Sequence, residues 1–510
     1  MSDILLATLN ARYSHASLGL RYLRANLGAL RECSALREFV IGQKTEEIAE
    51  AILSAQPKIL GLGVYIWNCE ESLKLVLMLK AVQPDLIIIL GGPEVSYECT
   101  EQAICAAADY TITGWGDISF AQLCAQILAD EAPEARIIPG IQAKLEDIVP
   151  PYEEYTEEDI RQRHLYVEAS RGCPFKCEFC LSALDKTAWP FALEKFLADL
   201  EMLWQKGARQ FKFVDRTFNL KIETSLRIMD FFLGKIAENP DDPPFAHFEL
   251  IPDHLPEKLK ESIKRFPAGT LQFEIGIQTF NLDVQARISR KQKNELAREN
   301  ILWLAEHSGA HLHVDLIAGL PGEDIGSFAE GFNKLVALKP HEVQFGILKR
   351  LRGAPIARHS EDFKLRFNPA PPYNILSTDR ISFAEMQELS RFSRYWDMLA
   401  NSGRYSRSME LILGDAPFNN FNALSCWLYA KTRQTHAIAH ERMVHLVHEH
   451  LIDARGLDES EVSEALIADY RGTGGRSRLR FEAHDAELPL PKPAKTKRHT
   501  PERQIRHLHT

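Results

Sequence analysis

The chain has 510 residues, of which 45% are hydrophobic and 25% charged, and its formal net charge is −10 at pH 7. This composition excludes a mostly disordered, collagen-like or small disulfide-stapled chain, and the length suggests about three domains. The acidic balance gives no sign of nucleic-acid binding, and no apolar run is long enough to cross a bilayer. The first ten residues also lack a basic leader with a cleavage site, so we expect a cytoplasmic protein.

The first part of the chain alternates apolar and amphipathic segments, which predict strands and helices respectively. The predicted strands span residues 4–9, 37–41, 59–65, 86–90 and 110–113. The predicted helices include residues 18–23, 45–54 and 70–82. Continuous apolar strands separated by helices predict a doubly wound parallel sheet of the flavodoxin or Rossmann type over residues 1–145. A linker over residues 146–160 is expected to close this domain.

Polar or glycine-rich loops follow the predicted strands of this first domain, at residues 10–17, 63–68, 91–94 and 114–117. Ligands of such sheets bind at the carboxyl ends of the strands, so these loops predict a ligand site. The pattern alone does not identify the ligand. A nucleotide-binding or response-regulator-like module would show the same arrangement.

A second series of strands and helices follows the linker. Its predicted strands span residues 165–169, 210–214, 247–251, 271–277, 311–318 and 342–348. Six strands on this spacing predict a partial (β/α)6 barrel over residues 161–367, with its active site at the C-terminal strand ends. Residues 368–488 lose the strand signal and predict a mostly helical domain. Residues 489–510, rich in Pro, Lys, Arg and His, predict a disordered basic tail.

Three of the nine cysteines, Cys173, Cys177 and Cys180, lie in one loop directly after a predicted strand. Three soft sulfur ligands suit an iron–sulfur cluster or zinc. A closed zinc site usually has four ligands, and no fourth Cys or His lies within a few residues. A [4Fe–4S] cluster held by three cysteines instead keeps one iron open for a further ligand. The other six cysteines are scattered in apolar or helical surroundings, where we expect buried thiols.

The C-x3-C-x2-C spacing, after a strand and before a barrel, resembles the radical S-adenosylmethionine (SAM) superfamily. The resemblance implies that Cys173, Cys177 and Cys180 hold a [4Fe–4S] cluster whose open iron is chelated by SAM. Reduction then cleaves SAM to methionine and a 5′-deoxyadenosyl radical. The family's Gly-Gly-Glu triplet is not literal at residues 214–216. The SAM contacts implied by the resemblance are Phe179, Asp215, Arg216, Glu274, Gln278, Asp315 and Ile317.

Placed before such a core, the first domain is similar to the cobalamin (B12)-binding domain of one subfamily, whose members carry a C-terminal domain of unknown function. The cobalamin contacts implied by this resemblance are Ser14, His15, Ser17, Gly63, Tyr65, Gly91, Gly92, Gly114 and Gly116. The D-x-H-x-x-G pattern of many cobalamin proteins is absent, because Tyr13 and Leu18 stand where its Asp and Gly would be. We therefore expect His15 to have a structural or hydrogen-bonding role and not to coordinate cobalt.

The resemblance implies an enzyme that uses a [4Fe–4S] cluster, SAM and cobalamin on a small-molecule substrate. Methyl transfer to an unactivated carbon, or a radical rearrangement or cyclisation, is the expected reaction, with an electron donor such as flavodoxin or ferredoxin. Two alternatives stay open: a radical SAM enzyme that does not bind cobalamin, and a non-catalytic corrinoid-binding or sensing protein. We expect neither a membrane nor a nucleic acid as partner.

Overall fold

A computed structural model describes residues 2–185, 187–482 and 499–508. Packing divides the chain into two units. The first consists of Met1–Arg216, Lys349–Ala357 and Asn368–Asn374, and the second of Thr217–Leu348, Arg358–Phe367 and Ile375–Thr510. Within the described ranges, no helix is both long and apolar enough to cross a membrane. The predicted domain boundaries stay predictions.

The first unit contains a parallel sheet of six strands. These strands are β1 (Ile4–Asn10), β2 (Ser34–Val40), β3 (Ile59–Gly63), β4 (Ile87–Gly91), β5 (Tyr110–Thr113) and β6 (Ile137–Pro139). Their order in the sheet is β2-β1-β3-β4-β5-β6. The helices of this unit are α1 (Leu18–Ala25), α2 (Thr45–Ser54), α3 (Cys69–Val82), α4 (Ala103–Ala107), α5 (Ser119–Leu128), α6 (Glu157–Gln162) and α7 (Leu193–Gln205).

Strand β1 explains why the apolar runs of this sheet are continuous. All seven of its residues are buried. Leu5 packs on one face in a core cluster with Ile48 of α2, whereas Leu6 packs on the opposite face in a cluster with Phe120 of α5. Because successive side chains point to opposite faces, a sheet covered by helices on both sides buries every position of a central strand. The predicted doubly wound sheet is confirmed.

The rest of the first unit surrounds the cysteine loop. Its strands are β7 (Leu165–Val167), β8 (Ser170–Arg171), β9 (Trp189–Pro190) and β10 (Gln210–Phe213). Strand β10 pairs parallel with β7, and β8 pairs antiparallel with β9. The segment predicted as a linker contains the start of α6, where Thr156 and Asp159 form a capping box.

The second unit contains four further parallel strands, followed by a short antiparallel pair. The parallel strands are β11 (Phe245–Leu250), β12 (Leu271–Gln278), β13 (His311–Ala318) and β14 (Glu342–Ile347), and they pair in chain order. The antiparallel pair is β15 (Arg366–Phe367) and β16 (Ile375–Ser377). The prediction of no strand after residue 368 is wrong for β16, because a strand of three residues is too short for an alternating pattern to show. All six strands predicted for the second series are present, as β7, β10 and β11 to β14.

Helices make up most of the second unit. Those that alternate with strands β11 to β14 are α8 (Ile222–Glu238), α9 (Glu257–Lys264), α10 (Leu282–Arg287), α11 (Asn294–His307) and α12 (Ile325–Val336). The C-terminal helices are α13 (Phe383–Leu399), α14 (Met409–Leu413), α15 (Pro417–Thr432), α16 (His440–Glu449), α17 (Glu459–Gly472) and α18 (Glu502–His507). The predicted α/β class with a mostly helical C-terminal region is confirmed.

An aromatic cluster attaches the C-terminal helices to α12. The ring of Phe332 on α12 lies 4.9 Å from Trp396 and 5.2 Å from Phe392, both on α13. Phe421 of α15 closes the cluster, 4.7 Å from Phe392. Buried aromatic side chains contribute large apolar areas and favour such edge-to-face contacts. This packing makes the C-terminal helices part of the second unit's core.

The prediction of a disordered tail over 489–510 is wrong for residues 499–508. Thr500 Oγ1 donates to the carbonyl of Gly269 over 2.8 Å, and Gln504 Nε2 donates to Oε1 of Gln272 over 2.6 Å. Both tail side chains are buried. The polar composition predicted disorder here, but the segment is ordered because it packs against the starts of strands that are distant in sequence. Residues 489–498, 509 and 510 of the predicted tail lie outside the described residues.

Candidate functional site

A cavity of about 470 Å³ opens at the carboxyl ends of β3, β4 and β5 in the first unit. In the observed strand order, β2 lies on one side of β1, and β3 and the later strands lie on the other side. The strand order therefore reverses between β1 and β3, and ligands of open α/β sheets bind beside such a point. Six of the nine residues predicted to contact cobalamin line this cavity: Gly63, Tyr65, Gly91, Gly92, Gly114 and Gly116.

Glycines at the strand ends leave part of the floor of this cavity as bare backbone. A Cβ atom added to Gly91 would have only the Ile112 carbonyl oxygen near it, at 4.0 Å, and one added to Gly114 would have no atom within 4 Å. Position 92 must be a glycine for the backbone itself to fold. Its φ of 113° and the nearby Val64 carbonyl exclude a side chain. A flat macrocycle could therefore approach the strand ends at Gly91 and Gly114 closely, so the residues present fit a corrinoid.

The structure places Ser14, His15 and Ser17 outside the cavity lining. His15 Nδ1 lies 2.5 Å from the hydroxyl of Tyr166. The Ser14 carbonyl accepts from the His164 amide over 2.8 Å, and Ser17 caps α1. These contacts fix the loop after β1 to the segment that leads into β7. A role of these three residues in binding cobalamin stays a prediction.

Arg171 and Asp117 form an ion pair beside the cavity. Arg171 Nη1 donates to the Asp117 carboxylate over 2.9 Å, and its Nη2 donates to Glu168 over 2.8 Å. The guanidinium also lies over the rings of Tyr22 and Trp115, 4.7 and 4.8 Å from their centres. No sequence pattern predicted this ion pair. Its only signal was the position of Arg171, two residues before the first cysteine of the loop.

The three predicted cluster ligands lie together on the loop that follows β8. Burial, together with the neighbouring Cys180 and Cys177 thiols, raises the pKa of the Cys173 thiol to about 11. All three thiols are partly exposed. In the described part of the chain, no three His, Cys, Asp or Glu side chains converge on a single metal ion. An iron–sulfur cluster needs no such convergence, because each cysteine binds a different iron.

The backbone of the cysteine loop is held at both sides. Gly172 has a φ of 91°, and a side chain there would collide with the Thr187 carbonyl of the returning segment. At the other side, Asp215 accepts from the Ala169 amide over 2.9 Å and from the Ser170 hydroxyl over 2.6 Å. Burial raises the pKa of Asp215 to about 7. The two hydrogen bonds that its carboxyl group accepts hold the start of the loop in place.

The other predicted SAM contacts of the first unit differ in exposure. Phe179, which precedes the last cysteine, is half-buried, and Arg216 is exposed. The carbonyl of the adjacent Glu178 accepts from the Ile356 amide over 2.9 Å. This hydrogen bond ties the loop to the segment that returns to the first unit after β14. Direct contact of Phe179 or Arg216 with SAM stays a prediction.

In the second unit, Glu274 and Asp315 belong to a polar face on β11, β12 and β13. His247 Nε2 lies 3.3 Å from the Glu274 carboxylate. Burial raises the pKa of Asp315, and the charges of Glu274 and Glu249 raise it further. Ile317 lies two positions after Asp315 on β13 and therefore points to the same face. The face is acidic and suits a ligand that carries hydrogen-bond donors or positive charge.

Two buried acceptors at this face have no hydrogen-bond partner in the described residues. They are Oδ1 of Asp315 and Oε1 of Gln278. Gln278 also has a φ of 69°, at a register irregularity between β12 and β13. Unpaired buried acceptors and a strained backbone are costly and concentrate at functional sites. The ammonium group and ribose hydroxyls of SAM are donors of the kind these oxygens lack.

Comparison with known protein families gives three matches along the chain. Residues 4–124 match a B12 binding domain, and residues 167–335 match the Radical SAM superfamily. Residues 361–486 match a protein of unknown function, DUF4080. The predicted resemblance, including its C-terminal domain of unknown function, is confirmed.

Two curated relatives are similar in sequence. Cobalamin-dependent radical SAM methyltransferase TokK of Streptomyces tokunonensis is 25% identical over 345 residues, which cover 58% of this chain and 47% of the relative. The 2-(S-pantetheinyl)-carbapenam-3-carboxylate methyltransferase of Streptantibioticus cattleyicolor is 25% identical over 343 residues, which cover 59% and 48%. The chain thus spans about half the length of the curated relatives it matches.

Solved structures share the fold. The cobalamin-dependent SAM radical enzyme OxsB with aqua-cobalamin bound has a TM-score of 0.62 at 13% identity, covering 93% of this chain and 84% of that one. The radical SAM methyltransferase TsrM of Kitasatospora setae, with cobalamin and a [4Fe-4S] cluster bound, has a TM-score of 0.55 at 15% identity, covering 70% and 74%. At these identities the likeness shows the fold alone.

Proposed function

We propose that this chain, which combines a B12-binding domain, a radical SAM domain and a DUF4080 domain, is a cobalamin-dependent radical SAM methyltransferase of the cytoplasm. The observation that carries the proposal is that one structural unit holds both the glycine-floored cavity and the three-cysteine loop. The bound cofactors supply the radical and the methyl carrier, and the protein supplies position and electrostatics. Methyl transfer is preferred to rearrangement because the two similar curated relatives are methyltransferases.

In this proposal the cysteine loop holds the [4Fe–4S] cluster through Cys173, Cys177 and Cys180. Asp215 and the β8–β9 pair keep the loop in one conformation, so that the three thiolates need little ordering when the cluster binds. The ion pairs of Arg171 neutralise its charge and fix its guanidinium at the wall of the cavity. Arg171 is therefore a positioning residue that joins the cysteine loop to the wall at Asp117.

The cavity at β3, β4 and β5 would hold the corrinoid. Glycines at the strand ends remove the side chains that would block a flat ring. The described lining residues include no His, Cys, Met or Lys, so the lining offers no strong nitrogen or sulfur ligand for cobalt. His15 also lies outside the lining. This arrangement supports binding of the cofactor by its ring, without coordination by a protein side chain.

In the second unit, Asp315, Gln278 and Glu274 would orient SAM. The unpaired oxygens of Asp315 and Gln278 would accept hydrogen bonds from its donors. Glu274, held by His247, would add a second carboxylate beside them. Hydrogen bonds to buried acceptors that otherwise lack partners contribute strongly, because they remove a desolvation cost.

The experiment is anaerobic purification of the full chain from cells supplied with cobalamin, followed by incubation with SAM and dithionite. We expect the protein to retain cobalamin and to release 5′-deoxyadenosine. Cys177→Ala is the matched control, which should retain cobalamin and release no 5′-deoxyadenosine. Cleavage of SAM without retained cobalamin would replace the proposal by a radical SAM enzyme that does not use the corrinoid. Retained cobalamin with no cleavage in a cluster-loaded protein would indicate a sensing protein.

A further inference from the structure

A separate cavity of about 260 Å³ lies in the second unit, where three elements meet. The loop after α13 contributes Arg404 and Tyr405, the first residue of α16 is His440, and α18 contributes Arg503 and Arg506. None of the residues predicted to contact SAM or cobalamin lines it. Its walls combine three guanidinium groups, an imidazole, a phenol and the Asp397 carboxylate, so its chemistry differs from that of the cofactor sites.

Three arginines and one carboxylate, that of Asp397, line the cavity. Arg503 pairs with Asp397 over 2.7 Å and with Glu342 over 3.0 Å, so its own charge is compensated. In the described residues, neither Arg404 nor Arg506 has a carboxylate within ion-pair distance. Burial lowers the pKa of Arg506, and the nearby Arg404 charge lowers it further. The Glu502 carboxylate offsets part of this repulsion. Two guanidinium groups that repel each other and lack an ion-pair partner favour an anion between them.

Two buried polar atoms at the cavity lack partners among the described residues. They are the hydroxyl of Tyr405, a residue only 2% exposed, and Nε2 of His440. Their rings meet edge to face, 5.6 Å apart. Burial and the charges of Arg404 and Arg506 lower the pKa of His440 to about 4, so its imidazole is neutral at pH 7. A buried hydroxyl without a partner is costly, and an acceptor ligand in the cavity would remove that cost.

The cavity is formed by tight packing of α18 on the loop after α13. Arg503 Nε donates to the Asn401 carbonyl over 2.7 Å, and Arg506 Nη1 donates to the Ser402 carbonyl over 2.9 Å. Gly403, with a φ of 65°, lies so close to Arg506 and His507 that a side chain there would collide with α18. A ligand in the cavity would therefore contact the C-terminal helix and the helical domain together.

We propose that this cavity binds a phosphate-class oxyanion, either inorganic phosphate or the phosphate ester of a metabolite, through Arg404, Arg506 and Tyr405. Guanidinium groups pair with phosphate oxygens through two parallel hydrogen bonds, and the phenol adds a third donor. At roughly 30 Å³ per water molecule, the volume holds a phosphate group with several waters. Bound phosphate would cancel the repulsion between the two arginines and hold α18 against the helical domain.

The first test is calorimetric titration of the full chain with inorganic phosphate and, separately, with adenosine monophosphate. Ionic strength is held constant, and saturating SAM blocks binding at the proposed active site. Arg404→Gln and Arg506→Gln should each weaken binding by about tenfold or more. Tyr405→Phe removes only the hydroxyl and should weaken binding by a smaller factor. Arg407→Gln, at an exposed arginine outside the cavity, is the matched control and should bind as the unmodified protein does.

The second test is hydrogen exchange with and without inorganic phosphate. We expect phosphate to slow amide exchange in residues 502–507, and this slowing to disappear in Arg404→Gln. If adenosine monophosphate binds and inorganic phosphate does not, the ligand class is a phosphorylated metabolite. Absence of binding by both probes, or equal affinities in all the variants, would overturn the proposal. If an arginine variant fails to fold, Tyr405→Phe alone decides between these outcomes.

Discussion

Arg352 and Glu94 lie 258 positions apart in the chain, and Arg352 Nε donates to Oε1 of Glu94 over 3.0 Å. The Tyr373 hydroxyl donates to the same oxygen over 2.6 Å. Arg352 also pairs with Glu98 over 2.9 Å. Glu94 is buried and Tyr97 lines the cavity at the ends of β3, β4 and β5, so two segments that return late in the chain hold the loop at the wall of that cavity.

Arg352→Ala should destabilise the protein by about 3 kcal/mol, because it leaves the buried Glu94 carboxylate without its cation while Tyr373 still donates to it. The change should also weaken cobalamin binding through the loop that carries Tyr97. The measurement is urea unfolding of Arg352→Ala, Glu94→Gln and the double variant. The losses should not add, because both single changes remove the same ion pair. Arg12→Ala, at an exposed arginine, should change stability by less than about 0.5 kcal/mol. Additive losses would show that the two residues act independently.

Gly91→Val should lower the affinity for cobalamin by about tenfold or more, because it adds three carbon atoms to the floor of the cavity. A Cβ atom at this site meets only the Ile112 carbonyl oxygen, at 4.0 Å, so we expect the free energy of unfolding to change by less than about 1 kcal/mol. Absorbance titration of cobalamin measures the first effect and urea unfolding the second. Gly234→Ala in α8, which also has open space around it, should leave the affinity unchanged. Normal affinity in Gly91→Val would place the corrinoid elsewhere.

Cys177→Ala should abolish the absorbance of the reconstituted protein near 400 nm, roughly where charge transfer from thiolate to iron falls. Two remaining thiolates cannot hold the cluster with its usual three protein ligands. The comparison is anaerobic reconstitution with iron and sulfide, followed by spectroscopy and iron analysis. Cys33→Ala, at a cysteine far from the loop in sequence, should give the unmodified spectrum. A full cluster spectrum from Cys177→Ala would contradict the assignment of this ligand.

His15→Ala should leave the spin-resonance spectrum of bound cobalt(II) unchanged. His15 Nδ1 lies 2.5 Å from the Tyr166 hydroxyl, and His15 does not line the cavity proposed for the corrinoid, so we expect its imidazole not to coordinate cobalt. The measurement is the nitrogen hyperfine splitting of the cobalamin-loaded protein before and after the change. Gain or loss of splitting in His15→Ala would mean that the imidazole reaches the cobalt. Tyr166→Phe, which removes only the partner hydroxyl, is the companion variant and should behave in the same way.

Glu323 should make the protein less stable as the pH rises. Burial raises the pKa of its carboxyl to about 7, although Thr279 Oγ1 donates to it over 2.6 Å. In the unfolded chain the pKa of this carboxyl is 4.5, so the protonated carboxyl contributes its full stabilisation below that pH. This contribution is about 3 kcal/mol at most, and it is lost as the pH rises from that value to about 7.

The measurement is the free energy of unfolding at pH 5 and pH 8. The unmodified chain should lose more stability between these values than Glu323→Gln, whose amide does not titrate. Glu361→Gln, at an exposed carboxylate, should keep the full dependence. An identical dependence in the unmodified chain and in Glu323→Gln would show that this carboxyl ionises normally in the folded protein.

Local pattern accounts for the part of the site that could be predicted. Strand β13 and helix α2 have the predicted bounds, because their periodic apolar residues lie within one element. The glycines at the ends of β3 and β4 could be identified because each directly follows its apolar run. Local pattern did not predict the contacts of Ser17 in the loop after β1, where its hydroxyl caps α1 and its amide donates to Glu38.

The sequence by itself determined the three-cysteine spacing, the glycines after the strands and the order of the domains, since each is a relation between residues close together in the chain. Only the tertiary structure decided that Arg352 compensates Glu94 and that residues 499–508 pack against the start of β12. Both depend on a buried charge or amide meeting its partner across hundreds of residues. The free energy of such a contact exists only after distant segments have packed, so no local pattern encodes it.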